Sequence, residues 1–335
     1  MIDSNDPIWN AIVGITRLGA MATMAELGCA DHLAGGPMSV TELAGACGAH
    51  APSLGRVMRE LAAIGIVRTV GPDVYELTEN GQALRGDVPG SMRGALRVMV
   101  EPGYWYAMGS IPETVRRGRS MFAERFGPFY DYLAERPELA RDFNDYMRVR
   151  SASIESALPT TYDFSGFGTL VDVAGGRGHL LAAVLDANPR LRGVLFDRES
   201  VVTHAREVLG GRGFGDRCEF VGGDFFRGVP DGADAYLLAS IIHNWDDDDA
   251  LRILGNVRAA MADDGRVLLL ETVLPDDDSP HIGKEFDLRM LALFGSGKER
   301  TRDEYAALLG KSGFTLSRVL PLPVGASLIE AIPVQ

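Results

Sequence analysis

The chain is poor in cysteine, contains no long apolar run and has an excess of acidic charge. Its 335 residues include three cysteines, Cys29, Cys47 and Cys218. Three widely spaced cysteines offer neither a disulfide framework nor a Cys-x-x-Cys metal site, so we expect reduced thiols in a cytoplasmic protein. No apolar run reaches the roughly 18 residues that a membrane span needs. The first residues also lack the basic start and apolar core of a signal peptide.

The acidic excess restricts the partners that the chain can bind. The formal net charge is −13. Such a charge disfavours nucleic acid and anionic membranes, because phosphates are bound by clustered lysine and arginine. Hydrophobic residues make up 46% of the chain and charged residues 24%, a balance typical of a soluble globular enzyme. The length suits two domains or one large one.

The first 90 residues follow the pattern of a winged-helix domain. We predict a long helix over residues 8–34, followed by a short helix that opens at Thr41 and another that Ser53 caps. A β-hairpin over residues 66–77 completes the pattern. A winged helix often binds DNA, but between Met38 and Arg85 four arginines are outnumbered by five acidic residues. A DNA-reading module needs a basic face, so we expect this one to pack on protein instead.

Residues 91–160 are predicted to be helical and carry many large side chains. Core packing is the simpler interpretation of any single one of them, but as a group they could wall a pocket for a flat aromatic ligand. Our candidates for the substrate pocket combine three of them with two residues from the C-terminal part, namely Trp105, Phe143, Met147, Met290 and Phe294.

Residues 161–335 alternate between apolar strands and helices. The predicted strands are 169–173, 194–197, 218–221, 235–239 and 267–270. This alternation indicates an α/β fold with a doubly wound parallel sheet. Two further strands, 315–320 and 326–332, are separated only by a Pro-rich turn, which predicts an antiparallel hairpin at one edge of the sheet.

A glycine-rich turn follows the first of these strands, in Asp172-Val173-Ala174-Gly175-Gly176-Arg177-Gly178. Glycines let the backbone pass close to a ligand, and the start of the next helix offers N–H groups to it. Ligands of open α/β sheets lie beyond the carboxyl ends of the strands. Taken alone, this turn fits nucleotides of several kinds.

Two aspartates narrow the choice of cofactor. Asp197 ends the second strand, 19 residues after Gly178, where a carboxylate can accept hydrogen bonds from both ribose hydroxyls. Asp224 ends the third strand and can accept from an adenine amino group, with Phe225 against the ring. The dinucleotide pattern fails because Leu181 stands where its third glycine would fall, and nothing marks a P-loop. S-adenosylmethionine (SAM), which has adenine and ribose but no phosphates, fits best.

His243 lies at the exit of the fourth strand, in Ser240-Ile241-Ile242-His243-Asn244-Trp245-Asp246. A histidine there can act as a base on a bound molecule. A lone histidine is more often structural, but the cofactor motifs upstream favour a functional one. We interpret the acidic run from Asp246 to Asp249 as a helix N-terminus, not as a Mg²⁺ site, and we predict no metal.

With Gly297-Lys298-Glu299-Arg300-Thr301, these motifs resemble those of the small-molecule, SAM-dependent O-methyltransferases of the plant caffeate and isoflavone type and of their bacterial counterparts that act on aromatic secondary metabolites. The resemblance covers nearly the whole chain. It implies a dimerisation domain over residues 1–90, a helical linker over 91–160, a SAM-binding domain over 161–335, and a homodimer. Ala174 and Ser296 depart from the pattern, because glycine is usual at the first position and plant members have glycine at the second.

The resemblance also implies residue roles. His243 matches the general base, and Glu271, at the end of the fifth strand, and Glu299 match the acidic residues that orient it. We assign the cofactor contacts to Asp172, Gly175, Gly176, Gly178, Asp197, Asp224, Phe225, Ser240 and Trp245.

A base suits an acceptor that holds a proton, so we expect a phenolic hydroxyl on a phenazine, naphthoate or polyketide ring system. Three alternatives stay open. They are an N-methyltransferase, a methyltransferase-fold hydroxylase or decarboxylase, and a winged-helix regulator.

Overall fold

The structure is a computed structural model that describes residues 6–210 and 212–334. The chain divides into two compact units. One comprises Met1–Ser110 and Glu124–Arg150, and the other comprises Ile111–Ala123 and Ser151–Gln335. Our three-part division at residues 90 and 160 stays a prediction. None of the helices in the described part of the chain is both long and apolar enough to cross a bilayer.

The first 161 residues are mostly helical and include one small sheet. The helices are α1 (Pro7–Glu26), α2 (Cys29–Leu33), α3 (Val40–Cys47), α4 (Ala51–Ala63), α5 (Glu79–Gln82), α6 (Arg93–Val100), α7 (Pro102–Gly109), α8 (Ile111–Arg117), α9 (Met121–Phe126), α10 (Phe129–Ala134) and α11 (Pro137–Thr161). The strands are β1 (Met38–Ser39), β2 (Val67–Gly71) and β3 (Val74–Leu77), which pair antiparallel in the order β1-β3-β2.

The predicted helix, helix and hairpin of the winged-helix pattern are present as α3, α4 and the β2–β3 pair, but two details of the prediction are wrong. The single helix over residues 8–34 is broken, because Gly28 takes a left-handed φ of 65° between α1 and α2. Ser53 is not the N-cap of α4, which begins at Ala51 after His50 with a proline in its first turn. Ser53 Oγ instead contacts His50 Nδ1 at 2.9 Å.

The remaining residues form an α/β layer structure. Its helices are α12 (His179–Ala187), α13 (Glu199–Gly210), α14 (Asp247–Ala260), α15 (Ile282–Leu293) and α16 (Arg302–Lys311). Its strands are β4 (Thr169–Val173), β5 (Arg192–Asp197), β6 (Cys218–Gly222), β7 (Ala235–Ala239), β8 (Arg266–Leu274), β9 (Arg300–Thr301), β10 (Phe314–Pro321) and β11 (Ala326–Pro333).

The main sheet has the strand order β10-β11-β8-β7-β4-β5-β6. The strands from β8 to β6 are parallel, whereas β11 pairs antiparallel with β8 and with β10. The short β9 pairs parallel with the end of β8. The predicted fold class, a doubly wound sheet with an antiparallel hairpin at one edge, is confirmed.

Both faces of this sheet are covered. Val171 and Val173 of β4 pack in one cluster of buried residues, while Leu170 of the same strand packs in another. The same alternation separates Leu238 from Leu237 in β7. Since successive side chains of a strand point to opposite faces, these two clusters show that helices bury the sheet from both sides. A ligand can then bind at the edge where the parallel strands end.

Candidate active site

His243 lies at that edge, in the turn that follows β7. The strand ends at Ala239, Ser240 takes a left-handed φ of 55°, and a 3₁₀ turn covers Ile242–Asn244. The Asn244 side chain donates to the Ser240 carbonyl at 2.9 Å, which closes the turn. The His243 side chain is 16% exposed, so its ring is held by the protein but remains within reach of a ligand.

Glu299 is the direct partner of this histidine. Its Oε1 lies 3.0 Å from His243 Nδ1, and its side chain is buried. A carboxylate facing Nδ1 favours the tautomer that carries its proton there. Nε2 is then the ring nitrogen that can take a proton from a bound molecule, and the carboxylate stabilises the imidazolium that results.

Glu271 contacts the turn more than the histidine ring. Its Oε1 accepts from the backbone N–H groups of Ile241 and Ile242 at 3.0 and 2.8 Å. Its Oε2 lies 3.7 Å from His243 Nδ1. Burial raises the pKa of Glu271 to about 7, while the nearby His243 lowers it. Glu271 therefore holds the backbone of the turn and also places a titratable group 3.7 Å from the ring nitrogen Nδ1.

The predicted position of Glu271 at the end of its strand is wrong. β8 continues to Leu274, and Glu271 stands in its interior opposite Ser327 of β11. The sequence-based prediction ended the strand at Leu270, and a buried carboxylate is rare in a central strand. Two backbone N–H donors make it tolerable there.

Gly297 explains part of the close packing around His243. A Cβ at this position would lie 2.6 Å from the His243 carbonyl oxygen and 3.0 Å from Met290 Cε. Only glycine lets the two backbones approach so closely. The sequence motif contained Gly297, but nothing in the sequence indicated which backbone it touches.

The acidic run after the turn begins a helix, as predicted. Asp246 is the N-cap of α14, and its carboxylate accepts from the Asp249 N–H at 3.0 Å. Among the described residues, His243, Glu271 and Glu299 do form a group whose ligand atoms lie within 4.8 Å of one another and could hold a metal ion. The bond between His243 and Glu299 and the two backbone bonds that Glu271 accepts hold these side chains in place, while Oε2 of each glutamate has no hydrogen-bond partner among the described residues.

The glycine-rich turn joins β4 to α12. Ala174, where the resemblance expects glycine, takes a left-handed φ of 56°. This conformation costs an L-residue roughly 1–2 kcal/mol, which explains why glycine is usual there. The methyl group is tolerated, and the next residues keep the open backbone that the prediction required, with a φ of 58° at Gly176 and of 76° at Gly178.

Asp172 tests whether the turn fits SAM. Its side chain is fully buried, and its Oδ2 has no partner among the described residues. Burial, together with the charge of Asp197, raises the pKa of Asp172 to about 7. A Cβ at Gly175 would lie 2.5 Å from that same Oδ2. An unsatisfied carboxylate oxygen beneath a glycine fits a cofactor that brings a cationic amino group, and SAM does so.

Asp197 reaches the glycine turn. Its Oδ2 accepts from the Gly176 N–H at 2.9 Å, and its Oδ1 accepts from the Arg198 N–H at 2.7 Å. A carboxylate offers about four acceptor sites, so these two bonds leave capacity for the two ribose hydroxyls.

Asp224 and Phe225 lie just beyond β6, which ends at Gly222. Asp224 accepts from the Phe226 N–H at 3.0 Å. Trp245, from the His243 turn, packs edge-on against Phe226 and Phe225, with ring centroids 4.7 and 6.0 Å apart. The structure thus brings the predicted adenine side of the site next to the turn that carries His243.

A positioning contact near Phe225 was missed in the sequence. The side-chain amide of Asn256, on α14, donates to the Phe225 carbonyl at 2.8 Å. Asparagine in the interior of a helix was the available signal, because it is an unfavourable choice there unless its side chain has a partner.

The predicted substrate residues belong to different units. Met290 lies in α15 and contacts Gly297, and Phe294 is the C-cap of α15. Trp105, Phe143 and Met147 belong to the N-terminal unit, where Phe143 packs edge-on against Phe129. That these five residues form one pocket stays a prediction.

Comparisons with known proteins match this site to a family. The sequence model of the O-methyltransferase domain matches residues 108–315, and that of the O-methyltransferase dimerisation domain matches residues 9–86. A phenazine O-methyltransferase of Lysobacter antibioticus is 40% identical over 96% of this chain and 94% of its own. A phenazine-1-carboxylate N-methyltransferase of Pseudomonas aeruginosa is 36% identical over 96% of this chain and 95% of its own.

A solved structure extends the match to the fold. The O-methyltransferase of neocarzinostatin biosynthesis, bound to SAM and a hydroxynaphthoic acid, is 33% identical, covers 95% of this chain and 96% of its own, and superposes with a TM-score of 0.82. The matched residues include the glycine turn, both strand-end aspartates, and the His243 turn with its two glutamates. The chain therefore belongs to the O-methyltransferase family.

Proposed function

We propose that this protein transfers the methyl group of SAM to a phenolic hydroxyl on a polycyclic aromatic metabolite of the phenazine, naphthoate or polyketide type. The relatives that act on phenazine and naphthoate rings support this substrate class. The observation that carries the proposal is the 3.0 Å contact between His243 Nδ1 and Glu299. A base oriented in this way has a use only when the acceptor must lose a proton.

SAM would supply an electrophilic methyl group, whose bond to the sulfonium sulfur breaks as the bond to the acceptor oxygen forms, and S-adenosylhomocysteine would be the leaving group. Asp172, Asp197 and Asp224 would hold SAM, together with Phe225 and Trp245. His243 takes the acceptor's proton as the oxygen becomes nucleophilic. A phenol has a pKa of about 10 and histidine one of about 6.5, so this transfer is uphill unless the imidazolium is stabilised. Glu299 does that, and alignment of oxygen and methyl gives the rest of the acceleration.

N-methylation is the second candidate, because a relative of similar identity carries that activity in its name. A bare ring nitrogen has no proton to lose, so a His243–Glu299 pair favours the hydroxyl. Product mass separates these from the remaining alternatives. A gain of one methyl group supports either transfer, while a gain of oxygen or a loss of carboxyl would reject both.

His243→Ala tests the base. With 1-hydroxyphenazine and 1,4-dihydroxy-2-naphthoic acid as acceptors, we expect turnover to fall by about 10²–10⁴ while SAM binding is retained. His32→Ala, at an exposed position on α2, is the matched control. Unchanged turnover in His243→Ala would mean that the acceptor arrives ionised or is a nitrogen. Because we propose no metal, the same assays should be insensitive to EDTA.

We also infer a homodimer formed through the N-terminal domain. Ile8, Ile12 and Ile15 of α1 follow each other at i, i+4 and i+7 and are 72%, 54% and 58% exposed. A stripe of this kind on one helix face marks an interaction surface. The match of residues 9–86 to a dimerisation domain supports a second copy of this chain as the occupant.

A reducing cytoplasm is the compartment that we propose. The cysteines are free in the structure, and Cys29 and Cys47 face each other as thiols with their sulfurs 3.6 Å apart. Burial raises the pKa of the Cys29 thiol to about 12, which keeps it protonated and slow to oxidise.

A further inference from the structure

Arg300 is a buried cation next to the site. It lies in β9, opposite Val273 of β8, and is 1% exposed. A guanidinium has five N–H donors and does not lose its charge, so burying it is costly unless acceptors surround it. The identity of those acceptors indicates what the residue does.

Two of the acceptors are backbone carbonyls of the turn that carries the base. Nη1 donates to the Ile242 carbonyl at 3.2 Å, and Nη2 donates to the Trp245 carbonyl at 3.0 Å. These carbonyls lie on either side of His243 in the sequence. The third acceptor is the Asp247 carboxylate, 2.8 Å from Nη2 and 3.2 Å from Nε. The guanidinium group of Arg300 therefore links the turn to Asp247, the first residue of α14, through hydrogen bonds.

Glu271 binds the same turn through the backbone N–H donors of that turn. It accepts from the N–H groups of Ile241 and Ile242, while Arg300 donates to the carbonyls of Ile242 and Trp245. Both clamps come from buried charged side chains on neighbouring strands. The turn is fixed on both sides.

We propose that Arg300 is a positioning residue for methyl transfer, which holds the His243 turn so that Nδ1 keeps its bond to Glu299 and Trp245 stays against the aromatic pair beyond β6. This inference rests on the proposed role of His243. Lysine cannot replace Arg300, because an ammonium lacks the planar fork that reaches two carbonyls and a carboxylate at once.

The test compares Arg300→Lys and Arg300→Gln with Arg302→Gln, a change at an exposed arginine two residues away. We expect kcat with 1-hydroxyphenazine to fall by roughly 10² in Arg300→Gln, as a misplacement of about 1 Å can cost, with KM for SAM changed little. Arg300→Lys should recover only part of this loss. Arg302→Gln should match the wild type.

A second readout reports the position of the ring without any turnover. In NMR spectra of protein labelled with ¹⁵N-histidine, the Nδ1–H proton of His243 should appear downfield, because it is hydrogen-bonded to the Glu299 carboxylate. Its loss in His243→Ala assigns the signal. Arg300→Gln should shift and broaden this signal and speed its exchange with water. A signal identical to that of the wild type would overturn the proposal, whether or not the wild type methylates the acceptor.

Arg300→Gln leaves buried carbonyls without a donor and can fail to fold. Asp247→Ala then carries the test, since this carboxylate is half exposed and Arg300 keeps its two backbone acceptors when the carboxylate is removed. Without Asp247 the fork is held less firmly, so the His243 signal should broaden and kcat should fall severalfold. A sharp, unshifted signal together with wild-type kcat would contradict the positioning role.

Discussion

At the scale of single residues, burial raises the pKa of two carboxylates in the site, Asp172 and Glu271, to about 7. Asp172 has an ordinary pKa near 3.8 in the unfolded chain, and burial raises it to about 7 in the folded one. A pKa raised on folding gives stability that is present below the unfolded value and lost as the pH rises through the folded value. The stability that Asp172 costs the free protein therefore grows between about pH 4 and pH 7 and is greatest above pH 7.

Asp172→Asn should remove this cost. We expect the variant to be more stable than the wild type at pH 8 by up to about 4 kcal/mol, since burial raises the pKa by about three units and one unit corresponds to about 1.4 kcal/mol. The gain should shrink towards pH 4. Urea unfolding across this pH range measures it, with exposed Asp303→Asn as the control. The same variant should bind SAM more weakly. A uniform gain at all pH values would contradict the assignment.

Sequence analysis could propose those residues whose type and place in a motif suit the chemistry. His243, Asp197 and Asp224 stand at strand exits, and both facts are readable in the chain. The different contacts of the two glutamates were not readable, because they depend on which carboxylate faces the ring and which faces the Ile241 and Ile242 N–H groups. Such distances arise only after distant strands have paired.

At the scale of elements, the position of His243, the proposed base, depends on how closely its turn and the segment before β9 pack. Gly297→Ala should push these backbones apart, because its Cβ would lie 2.6 Å from the His243 carbonyl oxygen. We expect kcat to fall by about 10–10², with stability lower by about 1–3 kcal/mol. Steady-state kinetics and thermal unfolding measure both.

Gly255→Ala is the control for this change. Gly255 lies inside α14, and a Cβ there would meet nothing within 4 Å. Alanine favours a helix interior over glycine by about 0.5–1 kcal/mol, so this variant should be slightly stabilised and fully active. Equal losses in both variants would show that the packing around Gly297 is unimportant to catalysis.

Element types were easier to predict than element ends. The alternation of apolar strands and helices predicted the sheet and its edge hairpin, because both patterns are local. The break in the first helix was missed, although Gly28 was visible, because an isolated glycine is often tolerated inside a helix. The two-residue β1 was also missed, since so short a strand has no periodicity and exists only through its pairing with β3.

At the scale of the whole molecule, the exposed stripe on α1 predicts a measurable change of assembly. Ile12→Asp places a charge in an apolar contact, which costs several kcal/mol when it stays unpaired. We expect the dimer dissociation constant to rise by at least ~100-fold, which corresponds to about 2.8 kcal/mol. Light scattering over a dilution series measures it. Val70→Asp, an equally polarising change at an exposed valine of β2, should leave the assembly intact.

The C-terminal unit is formed by two separate stretches of the chain, and this has a practical consequence. The segment Ile111–Ala123 belongs to the C-terminal unit although residues of the other unit precede and follow it. It supplies α8, which packs on α15, and Ser120, whose hydroxyl donates to the Ala292 carbonyl at 2.7 Å. A fragment starting at Ser151 would lack this layer over α15. The catalytic half is therefore not separable by a single cut, and genetic fusions or split-protein designs must leave residues 111–123 connected to it.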